Sequence, residues 1–98
     1  MTELTLISTR QRPLKSLVEA ALANELRLLE AGIRRTEQRL YEFEAKYQIS
    51  TSEFARRFED DEFEESLELA EWIGEYRLLE RLRDKADTLR EIKFAKRR

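Results

Sequence analysis

Residues 41–76 read YEFEAKYQISTSEFARRFEDDEFEESLELAEWIGEY. This stretch ends one long helical pattern, turns, and opens another. At its centre Ser50 is a good N-cap residue, with Glu53 three positions later. Ser50-Thr51-Ser52-Glu53 therefore forms a capping box. The Ser50 hydroxyl is expected to accept from the Glu53 backbone N–H, and the Glu53 carboxylate from the Ser50 N–H. Ile49 and Phe54 flank the cap as a hydrophobic staple. The motif predicts a helix starting at Thr51 and a preceding helix ending near Tyr47.

Upstream, Pro13 suits a first helical turn, and no proline follows it. Leu22, Leu26, Leu29, Ile33, Thr36, Leu40, Phe43 and Tyr47 recur at alternating spacings of four and three, a heptad seam. Leu14, Leu17, Val18 and Ala21 extend the apolar face toward the start, and Leu28 widens it. A helix of roughly 50 Å, at 1.5 Å per residue, needs a hairpin or coiled-coil partner. Downstream, Phe54 and Phe58 give the next helix one apolar edge, as expected of a small cap over the end of a hairpin. Asp60 or Asp61 is placed to cap a third helix, whose positive dipole end the acids suit. That helix is expected from about Phe63 to about Phe94, with Leu69, Trp72, Ile73, Tyr76, Leu79, Leu82, Ala86 and Leu89 on its apolar face. Folding the arms about this corner puts Tyr47 level with Glu62. Gly32 would then lie near Gly74, and Trp72 or Tyr76 would pack against exposed backbone.

The first twelve residues, MTELTLISTRQR, are the least helical. Leu4 and Leu6 alternate with Thr5 and Ile7, which reads as a short strand or as a frayed terminus. A lone strand needs a partner from a second copy or another protein. The expected fold is all-α: a long, antiparallel, coiled-coil-like helical hairpin (residues 13–98) with a short capping helix at its bend, preceded by a strand or extended arm (residues 1–12). Two slender helices leave seams wider than each can fill, so a homodimer, four helices in cross-section, is expected.

Composition agrees with this class and narrows the chemistry. Charged residues are 41% of the 98-residue chain, with two glycines and one proline, a mixture typical of long helices. There is no cysteine and no histidine. Disulfides, thiolate metal sites and the usual general bases and thiol nucleophiles are therefore excluded. Asp60, Asp61, Glu62, Glu64 and Glu65 lack the alternating ligands and central glycine of a calcium loop. No enzyme activity, cofactor or metal is expected. No apolar run approaches the ~18 residues of a membrane span, and no signal-peptide pattern opens the chain. A cytoplasmic protein is the expectation.

A net charge of −2 conceals blocks. Residues 1–16 carry +2, residues 17–58 balance, residues 59–75 carry −9 with no base, and residues 76–98 carry +5. The acidic block has two readings: a solvated helix start matched to its dipole, or a docking face for a basic partner such as a nuclease with a cationic groove. On the second reading the partner-binding residues are Asp60, Asp61, Glu64, Glu65, Glu68, Glu71, Trp72 and Tyr76. Arg10, Arg12 and Lys15 are the candidates for touching nucleic acid, a thin footprint.

FEAKYQIS, TSEF, the FED acidic run and EWIGEY, within Leu40–Tyr76, resemble a group of small prokaryotic helical proteins. These recur in archaea and cyanobacteria and are regarded as candidate antitoxins of toxin–antitoxin pairs. The resemblance spans about a third of the chain. It implies direct binding and neutralisation of a cognate, RNA-cleaving toxin. Unlike many antitoxins, this chain has no clear DNA-binding module, since the second helix of a ribbon-helix-helix is missing. The expected function is thus a non-enzymatic, antitoxin-like inhibitor. The alternative is a self-associating, homodimeric scaffold without an inhibitory role.

Overall fold

The structure, a computed structural model, describes residues 2–4 and 14–94. Two long helices form an antiparallel hairpin, α1 (Leu14–Tyr47) and α3 (Leu67–Glu91), with a short α2 (Thr51–Glu59) at the bend. The expected boundary between arm and hairpin, with Pro13 beside it, lies outside the described residues. The molecule measures 60 × 21 × 18 Å and its radius of gyration is 19.3 Å, against about 13 Å for a compact chain of this length. Stability therefore concentrates where the three helices meet.

The corner forms for the local reasons given above, with one substitution of partners. Ser50 is the N-cap of α2, and its hydroxyl accepts from Glu53 N–H at 3.2 Å. The reciprocal half of the capping box does not form, because the Glu53 carboxylate turns to Arg56. Instead Glu44, one turn before the end of α1, accepts the Thr51 N–H at 2.7 Å. An orphan donor of α2 is thus satisfied by the preceding helix. Gln48, in the left-handed conformation (φ 57°), ends α1. Its N–H bonds the Glu44 carbonyl at 2.8 Å, and its side-chain amide donates to the Ala45 carbonyl at 2.6 Å.

The exit from α2 differs from expectation. Asp60 is the C-cap of α2 and Asp61 (φ 55°) turns the chain. Asp61 N–H bonds Phe58 O at 3.1 Å and Glu62 N–H bonds Arg57 O at 3.0 Å, the pair of bonds of a Schellman stop. Neither aspartate caps the third helix. Ser66 does, accepting from Leu69 N–H at 3.1 Å, so α3 starts at Leu67 rather than near Phe63. This later start slides the hairpin register. Gly32 faces Leu82, whose Cδ1 would lie 3.4 Å from an added Cβ, while Gly74 is exposed with open space around it. The expected pairing of glycines does not occur, and no ring packs on backbone there.

The core is the predicted seam. Leu29, Thr36, Leu40 and Phe43 of α1 and Trp72, Ile73, Leu79 and Ala86 of α3 are buried. Phe54 and Ala55 of α2 close the end, and Ile49 packs against the same cluster as the staple requires. Leu17 and Leu28, expected on the apolar face, are 59% and 61% exposed. α3 stops at Glu91, three residues short of expectation. Ile92–Phe94 forms β2, which pairs in parallel with β1 (Thr2–Leu4) in the register Thr2 to Ile92. The strand partner is thus the chain's own C-terminal segment rather than another molecule.

Replacing Trp72 with Ala should destabilise the fold by about 3–5 kcal/mol. Gly74→Ala, at an exposed helix-interior position, should stabilise it by up to ~1 kcal/mol. Urea unfolding midpoints of the two variants check both.

Candidate partner-binding surface

The corner carries most of the predicted site residues, and the structure divides them into three groups. Trp72 belongs to the core. Its side chain is fully buried and stacks on Phe54 at a centroid distance of 3.8 Å with an interplanar angle of 4°. Phe43 and Tyr47 pack at 5.4 and 5.3 Å. The indole N–H donates to Thr51 Oγ1 at 3.1 Å. An expected contact residue is therefore a structural post, with no surface left for a partner. Tyr76 is half-buried against the same cluster. It lines a shallow groove of about 320 Å³ with Leu40, Tyr41, Thr51, Leu79 and Arg83.

The second group is occupied within the hairpin. Lys46 meets Glu68 at 2.6 Å and Arg39 meets Glu71 at 3.7 Å. Farther along, Glu37 meets Arg83 at 2.7 Å and Glu30 meets Arg90 at 2.9 Å. Acids at the start of α3 thus face bases on α1, and bases at its end face acids. Part of the charge blocking read from the sequence is explained by this pairing along the hairpin. Each such pair is exposed and weak by itself, but the reversed alignment would set like charges together. Glu68, beside both Lys46 and Tyr47, is held below the ordinary carboxylate value by hydrogen bonding to the ammonium first and the phenol second. The same contacts raise Lys46 and Tyr47. Lys46 and Glu68, with Arg39 and Glu71, line a groove of about 480 Å³ that also includes Phe43 and Leu67, and Leu67 is 78% exposed.

The third group is the loop between α2 and α3. Asp60, Asp61, Glu62, Glu64 and Glu65 are exposed, and five of the nine acids of the block lie here rather than on a helix. Arg57 takes Glu62 at 3.2 Å while stacking over Phe63 at 4.9 Å. Arg56 approaches Asp60 at 3.7 Å. Asp61, Glu64 and Glu65 make no ion pair among the described residues. These three carry unbalanced charge on the loop between the two capped helix ends. Of the basic candidates, Lys15 is exposed in the first turn of α1, and Arg10 and Arg12 lie outside the described residues.

Sequence reasoning missed three connecting residues. Ser66, the only serine after Ser52 and three residues before Leu69, where the apolar periodicity of the last helix begins, carried an N-cap signal. Glu44 and Thr51 carried none, because their partners come from other helices. Among the described residues no group of acids converges as a metal site, and no helix is long and apolar enough to cross a membrane. No family model matches the chain, and no curated protein or solved structure is similar to it.

The depressed Glu68 and Glu53 carboxylates set a sign for acid sensitivity. A lowered native pKa stabilises the fold above the ordinary carboxylate value of 4.5 and is lost as pH falls through the folded-state value. The melting temperature should hold near neutrality and drop below that value. Glu68→Gln should lower the neutral plateau slightly and shrink the acid drop. Thermal scans by circular dichroism across that range provide the comparison.

Proposed function

We propose that this chain is a non-enzymatic protein-binding module, an antitoxin-like inhibitor that binds and neutralises a basic, RNA-cleaving partner in the cytoplasm. The observation that carries the reading is the unbalanced triplet Asp61, Glu64 and Glu65, exposed on a loop that is clamped at both ends. The Schellman stop holds one end and the Ser66 cap the other. A preorganised acidic tip loses little freedom on docking into a cationic groove, and its field speeds encounter. The resemblance of Leu40–Tyr76 to candidate antitoxins points the same way. Trp72 acts behind the surface, by fixing α3 against α2. Self-association belongs to the same proposal and is favoured by Leu17 and Leu28, large apolar side chains left in solvent.

The test uses the charges that do not support the fold. Glu64→Lys/Glu65→Lys should leave the melting temperature unchanged. It should weaken a stoichiometric complex with the basic partner by at least about tenfold, mostly through slower association at low salt. Inhibition of RNA cleavage should fall in parallel. Undiminished binding and inhibition by the doubly reversed variant would sink the proposal.

A further inference from the structure

We infer that α1 carries a self-complementary face that binds a second copy of this chain antiparallel, about a two-fold axis near Glu30. The inference rests on the self-association reading above and not on the toxin-binding one. Its starting point is a gap in an otherwise charged surface. Leu17, Ala20, Ala21, Asn24, Leu28 and Ala31 are all exposed. At 3.6 residues per turn they fall within a face about 100° wide. No charged residue lies on that face between Leu17 and Ala31, in a chain with 41% charged residues.

Beside this face runs a groove of about 430 Å³ between α1 and α3, with Glu25, Leu28, Gly32 and Arg35 on one wall and Leu78 and Leu82 on the other. Gly32 adds no side chain to its wall, and at its level Leu82, whose Cδ1 stands 3.4 Å from where a Cβ would be, floors the groove. Leu28, on the lip, is the kind of knob such a hole accepts. In an antiparallel pairing centred on Glu30, Leu28 of one copy stands level with Gly32 of the other. The same register sets Glu25 opposite Arg35, and two-fold symmetry forms each contact twice. The hairpin's ion pairs with α1 are made by Glu30, Glu37, Arg39 and Lys46. Glu25 and Arg35 make none among the described residues, which leaves both for a partner.

Charge selects the direction. A parallel, in-register pairing would set Glu25 against Glu25 and Arg35 against Arg35, whereas the antiparallel one alternates signs. The same register brings Leu17 level with Phe43 of the second copy, where the groove that includes the exposed Leu67 opens on the same side of the hairpin. Two exposed leucines per chain would thus be covered along one continuous strip. The acidic tip at Asp61, Glu64 and Glu65 lies outside it.

The chain has no cysteine, so single cysteines report the geometry cleanly. Ala31→Cys should cross-link to itself with a short bismaleimide, because the paired positions are offset by only ~3 Å along the axis. Ala20→Cys should not, the offset being ~30 Å. In sedimentation equilibrium, Glu25→Arg and Arg35→Glu should each weaken the dimer by about tenfold or more. The double variant should recover it, with unchanged helical circular dichroism throughout. A dimer in which both cysteines cross-link alike, or in which the double swap fails to restore affinity, overturns this interface while leaving self-association standing. A monomeric wild-type chain overturns both.

Discussion

The structure depends on one buried polar contact inside an aromatic stack, the indole N–H of Trp72 on Thr51 Oγ1. Thr51 is the first residue of α2, and its own N–H is held by Glu44 of α1. One residue therefore joins all three helices, through its backbone to α1 and its side chain to α3. The rings of Phe43, Tyr47 and Phe54 surround the indole. An indole buried without an acceptor would cost about 1–3 kcal/mol. Rotating α2 out of place would incur that cost and strip the stack of Phe54 as well. The angle of the corner follows from this requirement.

Everything farther along the hairpin is looser. Away from the corner, two helices alone cannot enclose a core, and the seam thins to single buried side chains such as Leu29 and Ala86. Alignment there falls to exposed ion pairs and to the leucines between them. Such pairs add little energy singly, yet their alternating order penalises a slipped hairpin. The same economy leaves Leu17 and Leu28 uncovered. Among the described residues there is no third long helix to cover them, and they stay 59% and 61% exposed.

The helices were legible because their signals are local. The Ser50 cap, the Ile49–Phe54 staple and the heptad spacing each depend on neighbours within a few residues, and the start of α2 and the end of α1 fell where those signals put them. The hairpin register was not legible in the same way. It turned on where α3 begins, and a run of six residues rich in acids offered several plausible caps. Asp60 and Asp61 have the right chemistry for an N-cap, but the backbone bonds of Arg57 and Phe58 to Glu62 and Asp61 had already claimed them for a helix stop. Four residues of error at that point moved Gly74 from the interface to the surface. The candidate site suffered in the same way. Proximity in sequence grouped Trp72 with the acids around it, whereas α3 directs the indole inward and Glu71 outward.

The division of labour among the acids then has a physical reason. Helical acids at Glu68 and Glu71 face α1 across a fixed distance and are neutralised by Lys46 and Arg39. Of the loop acids, Asp60 and Glu62 reach Arg56 and Arg57 of α2, and the other three meet no base among the described residues. Asp61 is exposed where its left-handed backbone turns the chain out of α2, and Glu64 and Glu65 follow before α3 starts. Charge that a fold does not neutralise raises its own electrostatic energy. A chain that needed only a connector could place serine or asparagine at these positions and lower that energy. Asp61, Glu64 and Glu65, between two capped helices, therefore carry an electrostatic cost that no ion pair among the described residues offsets.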